Sequence, residues 1–552
     1  MINRIGVNDT AKLNSRQYVS QKQKEGSAQN NPSFKGFGGL IIAGLQACEK
    51  MPMVNVAVID MLSAILPRTI VESLTNWFAG FEAFRRESSG LVVNCLIPSV
   101  IALGIAQCIN GAFLPKGSNM SECWADSTLI DKASEYYQNA SSDNKIKDSL
   151  EHIIGDIEGY ESKNKVLFRE ALTKEELDDF ATRLANIAKS NKETKNIHKE
   201  VKKISEEIIA KTHVAENIRI VGEKGDIKAQ SVTTMLEDSV KFYKEFNKVS
   251  KNINIEKFAK QSKKLVRTKS LAGLAIVLPL AASMQYINRW ITGKVSGVKG
   301  APIYDDFAKN KENIEENPKA KEGLLKQKII SISSMIGVSI LSMMKLPTMN
   351  MLEFKGIFPT MDQARIISTT TFASRMAAAD DKNELAEATV RDIATFLSLY
   401  FLGDYAAKAA ATIIQNKTGI SLLNDTKPLD KNANIFKKIK HWVKDTNIKS
   451  SEEVISKTQQ ALQGARPTAE QARIIEKELT KARNLRSACQ GANLGVSLVL
   501  LGLVIPIFTR KNTEKKHKKA LEEASGKSTH TNNTQRAEKI YLNTEFTQRK
   551  IA

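Results

Sequence analysis

Chemistry at a protein site needs particular residue types at particular spacings, and this chain offers few. Its six histidines, His152, His198, His213, His441, His517 and His530, are scattered singly, so none forms the HExxH pair of a hydrolytic zinc site. No GxxxxGK[ST] turn is present to cradle a phosphate on backbone N–H groups, and no GxSxG elbow presents a serine nucleophile. The five cysteines, Cys48, Cys95, Cys108, Cys123 and Cys489, contain no CxxC pair, and their odd number signals neither a disulfide framework nor a zinc site. No catalytic residue, metal ligand or cofactor-binding residue is assigned, which lowers the expectation of an enzyme without excluding one.

The elements that would have to position any site are more informative. Apolar residues are gathered in nearly uncharged blocks, separated by long stretches rich in Lys, Glu and Asn. A chain that alternates between lipid and water has this pattern, because hydrocarbon tolerates no unpaired charge. Four segments have the length and low charge of membrane spans: Leu91 to Leu114, Leu271 to Asn288, Ile329 to about Pro347, and Ser487 to Thr509. Phe37 to Val71 is apolar but broken by Glu49, Lys50, Asp60 and Arg68, and Ile393 to Gly403 is short and flanked by Asp392 and Asp404. Each charge at mid-bilayer costs about 2.5 to 3.5 kcal/mol. These two segments are therefore expected to be re-entrant, interfacial or packed in protein rather than lipid-facing spans.

The polar regions 116–270 and 416–486 read as helix. Thr173 and Glu176 have capping-box spacing, followed by Leu177, Phe180, Leu184 and Ile187 on one face. Ile197, Val201, Ile204 and Ile208 repeat like a helix seam, over too short a run for an extended coiled coil. The expected fold class is all-α, a multi-pass helical membrane protein with large helical extramembrane regions. Its divisions are a basic tail over 1–35, an apolar region over 36–115 and a polar helical region over 116–270. Two spans with a short basic loop follow over 271–347, then a mixed region over 348–415, a polar helical region over 416–486, the last span over 487–509 and a basic tail over 510–552.

Residues 31–36, Asn-Pro-Ser-Phe-Lys-Gly, resemble a short N-terminal element of uncharacterised bacterial multi-pass membrane proteins. The likeness covers six residues and implies no function.

Within the spans, Asn94, Gln107, Asn110, Gln285 and Asn288 are expected to face other helices or a wet cavity, since lipid offers them no hydrogen bond. Pro98, Pro279 and Pro506 interrupt three of the spans. Gly491 and Gly495 form a GxxxG pair, and Ala102 and Ala106 repeat the small-xxx-small spacing that lets helix backbones approach. Trp77, Phe81 and Phe84 share a helical face, with Glu82 and Arg86 at i,i+4, as in an interfacial helix. Phe436, Ile439, Trp442 and Val443, interleaved with Lys437, Lys438, Lys440 and Lys444, read either as a second interfacial helix or as one packed on a soluble neighbour. Asp404 and Lys408 are spaced for a simple salt bridge.

Lys plus Arg number 81 against 60 Asp plus Glu, a formal charge of +21. Nucleic-acid modules are not recognisable, so the expected partners are the lipid bilayer with its anionic headgroups and a protein partner or second copy. Arg510, Lys511, Lys515, Lys516, Lys518 and Lys519 follow the last span, with Glu514 the single acid among them. They suit either attraction to an anionic leaflet or a purely topological stop-transfer role. An even count of spans and the basic loop Arg289 to Lys328, with nine basic against six acidic residues, place both termini in the cytoplasm of a bacterial cell. The function expected is that of a non-catalytic membrane scaffold or anchor, with a transporter or channel as the alternative. Held by apolar spans rather than by charge, the protein is expected to stay in the membrane fraction through high salt and alkaline carbonate. Release by carbonate would mean that the apolar segments are packed inside a soluble fold.

Overall fold

The computed structural model describes residues 37–164, 172–296, 318–343, 352–425, 433–458 and 469–508, apart from short internal stretches, together with 511 and 515. The fold is all-α and multi-pass. Five helices are long and apolar enough to cross a membrane: Pro52–Val71, Gly80–Phe113, Ile255–Val295, Gly323–Met343 and Lys477–Val504.

Four of these match the expected spans, and the fifth corrects the reading of Phe37 to Val71. Helix α1 (Phe37–Lys50) stops at Met51, whose extended backbone (φ −126°, ψ 94°) precedes Pro52. At about 1.5 Å per residue α1 is shorter than the hydrocarbon layer of about 30 Å. Beyond the break, α2 (Pro52–Ile59), a π-helical turn at Asp60–Ile65 and α3 (Leu66–Thr75) follow one another without a gap and form a candidate span. Asp60 and Arg68 are tolerated there because they face protein, as shown below. The Trp77 helix is corrected too. It is not a separate surface element, because α4 (Trp77–Leu91), a π-helical turn at Val92–Leu96 and α5 (Ile97–Phe113) are consecutive. Nor does Glu82 take Arg86: Glu82 pairs with Arg85 at 3.4 Å, and Arg86 with Glu87 at 3.4 Å.

Between the first and second of the expected spans, α6 (Ser127–Asn139), α7 (Lys145–Asn164), α8 (Lys174–Lys189), α9 (Thr194–Thr212) and α10 (Val232–Val249) pack around one apolar core. That core extends from Leu114 to Val266 and so includes the start of α11 (Ile255–Ser296). Both halves of the Thr173/Glu176 capping box are made, and Ile197, Val201, Ile204 and Ile208 are buried as the seam spacing requires. A small hairpin, β1 (Arg219–Gly222) with β2 (Gly225–Lys228), pairs Arg219 with Lys228.

The remaining helices are α12 (Pro318–Met343), α13 (Met361–Ala377), α14 (Lys382–Leu397), a π-helical turn at Ser398–Leu402 and α15 (Gly403–Thr418). After β3 (Leu423–Asp425), α16 (Ile435–Lys444) and β4 (Thr446–Ile448), α17 (Ala469–Ser497) runs into a last π-helical turn at Leu498–Val504. Side-chain contacts give the helices their directions. Lys264 stands over the Phe113 ring at one end of the α5–α11 pair, while Asn288 donates to Ser89 at 3.0 Å at the other, so the two are antiparallel. Gly273 lets them close: a Cβ there would lie 3.3 Å from Ala102 Cβ and from the Phe354 ring. Lys328 donates to the Ala377 carbonyl at 2.8 Å, and Ser368 meets Tyr400 at 2.8 Å, which sets α13 antiparallel to α12 and to α14. The α6–α10 unit thus stands at one end of the helical layer. The flanks of 297–317 and the Val504 end of α17 stand at the opposite end.

Within the α6–α10 unit, Asp238 Oδ1 accepts from the Trp124 N–H at 2.9 Å. Burial pushes the Asp238 pKa up to about 7 from its ordinary 3.8, against the opposing pull of Lys241 and the Trp124 N–H. A carboxyl with a raised folded pKa contributes stability that is complete below its unfolded pKa and is lost as pH rises through the folded one. The melting temperature of the unit, followed by circular dichroism on the whole chain in detergent, is therefore expected to fall between about pH 4 and 7. Asp238→Asn should flatten that dependence, and an unchanged slope would refute the assignment.

Candidate intramembrane ionic site

Arg68, Glu87, Arg375 and Asp392 come from α3, α4, α13 and α14, and the packing of these four helices joins them into one chain of charges. Glu87 is its hub: Oε1 takes Arg68 Nη1 at 2.9 Å and Arg86 Nη2 at 3.4 Å, and Oε2 stands 3.7 Å from Arg375 Nη2. Arg375 continues to Asp392 Oδ1 at 2.7 Å, which Arg391 also approaches at 3.2 Å. All of these side chains are at most 15 % exposed. Glu87 lies next to the uncharged interval 88–115, so the cluster sits near one edge of the apolar layer rather than at its middle. Trp77, Phe81, Tyr286 and Trp290 are exposed on α4 and α11 at the same end, where an aromatic belt would meet the headgroups.

From this edge a small cavity of mixed lining reaches inward, with Asp60, Arg68, Glu87, Asn94, Arg375 and Tyr400 among its polar residues and Val56, Leu91, Phe372 and Leu399 among its apolar ones. Asn94 is two helical turns past Glu87, or about 10 Å deeper at 1.5 Å per residue. Three π-helical turns contribute to the lining: Asp60–Ile65 brings Asp60, Val92–Leu96 brings Asn94 and Cys95, and Ser398–Leu402 brings Tyr400. Each inserts an extra residue into its helix and so re-aims the side chains that follow, an arrangement frequent at functional sites. Thr371 donates to Asn94 Oδ1 at 3.1 Å, and Ser368 and Tyr400 share a hydrogen bond. Arg68 Nη2, Thr395 Oγ1 and Asp392 Oδ2 are buried without a hydrogen-bond partner among the described residues. The space is about 30 Å³, enough for a water molecule and far below the roughly 300 to 1,000 Å³ of an organic-ligand pocket.

A second buried polar assembly joins the α6–α10 unit to the helical layer. Lys355 Nζ meets Asp126 Oδ2 at 2.7 Å, both almost fully buried, and Glu353 accepts from the Ser127 N–H at 2.9 Å and pairs with Arg267 at 3.2 Å. Between them Phe354 is wholly buried, its N–H donated to Ser270 Oγ at 3.0 Å. Lys269 donates to the Cys123 carbonyl at 2.6 Å and stands 4.2 Å from the Trp124 ring centre.

Of the residues singled out from the sequence, Asp60, Arg68, Arg86, Asn94, Cys95 and Asp392 belong to the cluster or line its cavity, and the others fall elsewhere. Asn94 lines the cavity, Asn288 bonds Ser89, and Asn110 donates to the Ser118 carbonyl at 2.8 Å, whereas Gln107 is exposed, against expectation. Ala102 and Ala106 are completely buried on α5. A Cβ at Gly491 would meet Leu45 of α1 at 3.7 Å, and one at Gly495 would meet nothing within 4 Å. Asp404 is approached by Asn493 Nδ2 at 3.4 Å, and Lys408 donates to the Val443 carbonyl at 3.3 Å. Lys511 and Lys515 are exposed, while Arg510, Lys516, Lys518, Lys519, Pro506 and the element 31–36 lie outside the described residues. No cluster of His, Cys, Asp and Glu with metal-binding geometry occurs among the described residues.

Sequence reasoning passed over Glu87 and Arg375 because each sits outside the apolar cores of the expected spans, and it read Asp392 only as a charge flanking Ile393 to Gly403. The available signal was complementary: Asp60 and Arg68 in an apolar block demand buried partners. Glu87→Ala leaves buried guanidinium groups unpaired and is expected to cost about 3 to 5 kcal/mol. The Glu87→Gln/Arg68→Met double variant should lose less than the sum of the two single variants, as read from thermal melts in detergent. Strict additivity would show that the cluster is not energetically coupled.

Compared with models of protein families, with curated proteins and with solved structures, the chain finds no match.

Proposed function

We propose that the chain is an integral membrane scaffold that holds a rigid helical unit against one face of a bacterial cytoplasmic membrane. The observation that carries this reading is the buried seam of Glu353, Phe354 and Lys355 with Asp126, Ser127, Arg267 and Ser270. A unit tied down by a buried ion pair and a buried aromatic ring moves with its anchor, which suits presentation of a surface at the membrane better than a swinging domain. Basic surfaces then attract anionic lipid or an acidic protein partner. With five candidate spans the even count behind the cytoplasmic placement of both termini is lost. Arg289 and Lys294 stand at one face of the helical layer and the α6–α10 unit at the opposite one, and both faces carry basic residues.

A second reading, transport of a small ion or of protons, is favoured by one observation: the cavity with Asp60 at its inner end. Its size excludes organic cargo in this conformation. One preparation of sealed proteoliposomes separates the two. The scaffold reading expects proton and monovalent-ion flux no greater than in protein-free vesicles, whereas flux abolished by Asp60→Asn would replace it with transport. In the same vesicles, an impermeant maleimide should reach a cysteine at Lys202 and one at Lys511 from opposite sides. Labelling of both from one side would overturn the proposed placement.

A further inference from the structure

Helix α16 is unexplained by the ionic cluster or by the seam. Among the described residues it is docked where His441 is buried, Trp442 donates its indole N–H to Thr412 Oγ1 at 3.0 Å, and Lys408 stands 4.9 Å from the Trp442 ring centre. The adjoining face carries Ile435, Phe436, Ile439 and Val443, which are 67, 79, 55 and 37 % exposed. Their spacing makes one apolar stripe along the helix. Lys437, Lys438 and Lys440 are exposed beside it, and the helix contains no acidic residue.

The depth of α16 follows from its neighbours. Its support, α15, begins at Gly403, where an added Cβ would run into the Asn493 amide, and continues to Ala411, which shares a small core with Ala482 and Cys489 of α17. Arg486 is the last charge on α17 before the uncharged stretch that enters the apolar layer. Docked at Lys408 and Thr412, α16 therefore stands where α17 changes from charged to apolar, the level of the headgroups.

We propose that α16 lies in the headgroup layer of an anionic leaflet at the end of the helical layer that carries the α6–α10 unit. Ile435, Phe436, Ile439 and Val443 enter the acyl boundary, and Lys437, Lys438 and Lys440 meet anionic headgroups. A basic amphipathic helix of this kind buries its apolar stripe about 5 to 10 Å into the interface, and charge adds to the apolar term on an anionic surface. The inference rests on the multi-pass reading and deepens the proposed anchoring by naming the surface that touches lipid.

The test uses the whole chain in nanodiscs of anionic or neutral lipid with brominated acyl chains. Cys108 is the one exposed native cysteine among the five, so Cys108→Ala serves as background. Bimane is attached at single cysteines replacing Ile435, Val100 on the outer surface of α5, or Lys202 on the helical unit. Quenching at 435 is expected to exceed that at 202 by about twofold or more in anionic lipid. It should fall toward the value at 202 in neutral lipid, at high salt, or when Lys437, Lys438 and Lys440 are all replaced by Gln. Strong quenching at 100 with none at 435 would overturn the proposal while leaving the multi-pass reading intact, and is what a covering protein segment would produce. Equal quenching at 435 in neutral and anionic lipid, unmoved by the Gln replacements, would overturn the role of the lysines. An unquenched label at 100 would overturn the multi-pass reading and this inference together.

Discussion

Glu87 is shared by three guanidinium groups, and the arrangement of four helices depends on that sharing. An arginine buried near the apolar layer without a counter-charge is costly, so Arg68, Arg86 and Arg375 can all be present only if one carboxylate is held within reach of each. The requirement is geometric as well as electrostatic. α3 must reverse into α4 so that Arg68 faces Glu87, and α13 must descend beside them so that Arg375 reaches both Glu87 and Asp392. Once these four helices are fixed, the residues that line the cavity are fixed with them.

The cavity exists because the helices are not regular where they meet. A regular α-helix presents a given face once every 3.6 residues, which would carry Asp60, Asn94 and Tyr400 onto faces set by sequence spacing alone. The π-helical turns at Asp60–Ile65, Val92–Leu96 and Ser398–Leu402 break that periodicity at a shared level. Polar side chains consequently converge there, and Arg68 Nη2 keeps an unmatched donor beside a space large enough for one water. Elsewhere contact is governed by small residues: Gly273 admits Ala102 and Phe354, and a Cβ at Gly502 would lie 3.2 Å from Pro67.

The same logic of paired buried charge reappears at the opposite end of the layer. Lys355 with Asp126 and Glu353 with Arg267 tie the chain after α12 to the α6–α10 unit, and Phe354 fills the space between them. Buried ion pairs contribute little net stability against apolar isosteres, yet breaking one partner is costly. They therefore act chiefly to specify one docking geometry.

Local chemistry in the sequence determined the elements. The uncharged runs around Leu91 to Leu114 and Ser487 to Thr509 had to be apolar helices, because only a helix satisfies its own backbone in lipid. The Thr173 capping box and the Ile197, Val201, Ile204 and Ile208 seam were legible for the same reason, since each involves residues within a few turns of one another. The ionic site was not legible. Its members lie as far apart as Arg68 and Asp392, and an isolated charge in an apolar block reads as an interruption until its partner is brought beside it. Tertiary packing made Pro52–Val71 a candidate span, drew Glu82 to Arg85 rather than Arg86, and aimed Asp60 at the cavity. Electrostatic pairing between distant segments depends on three-dimensional distance, and spacing along the chain carries no record of that.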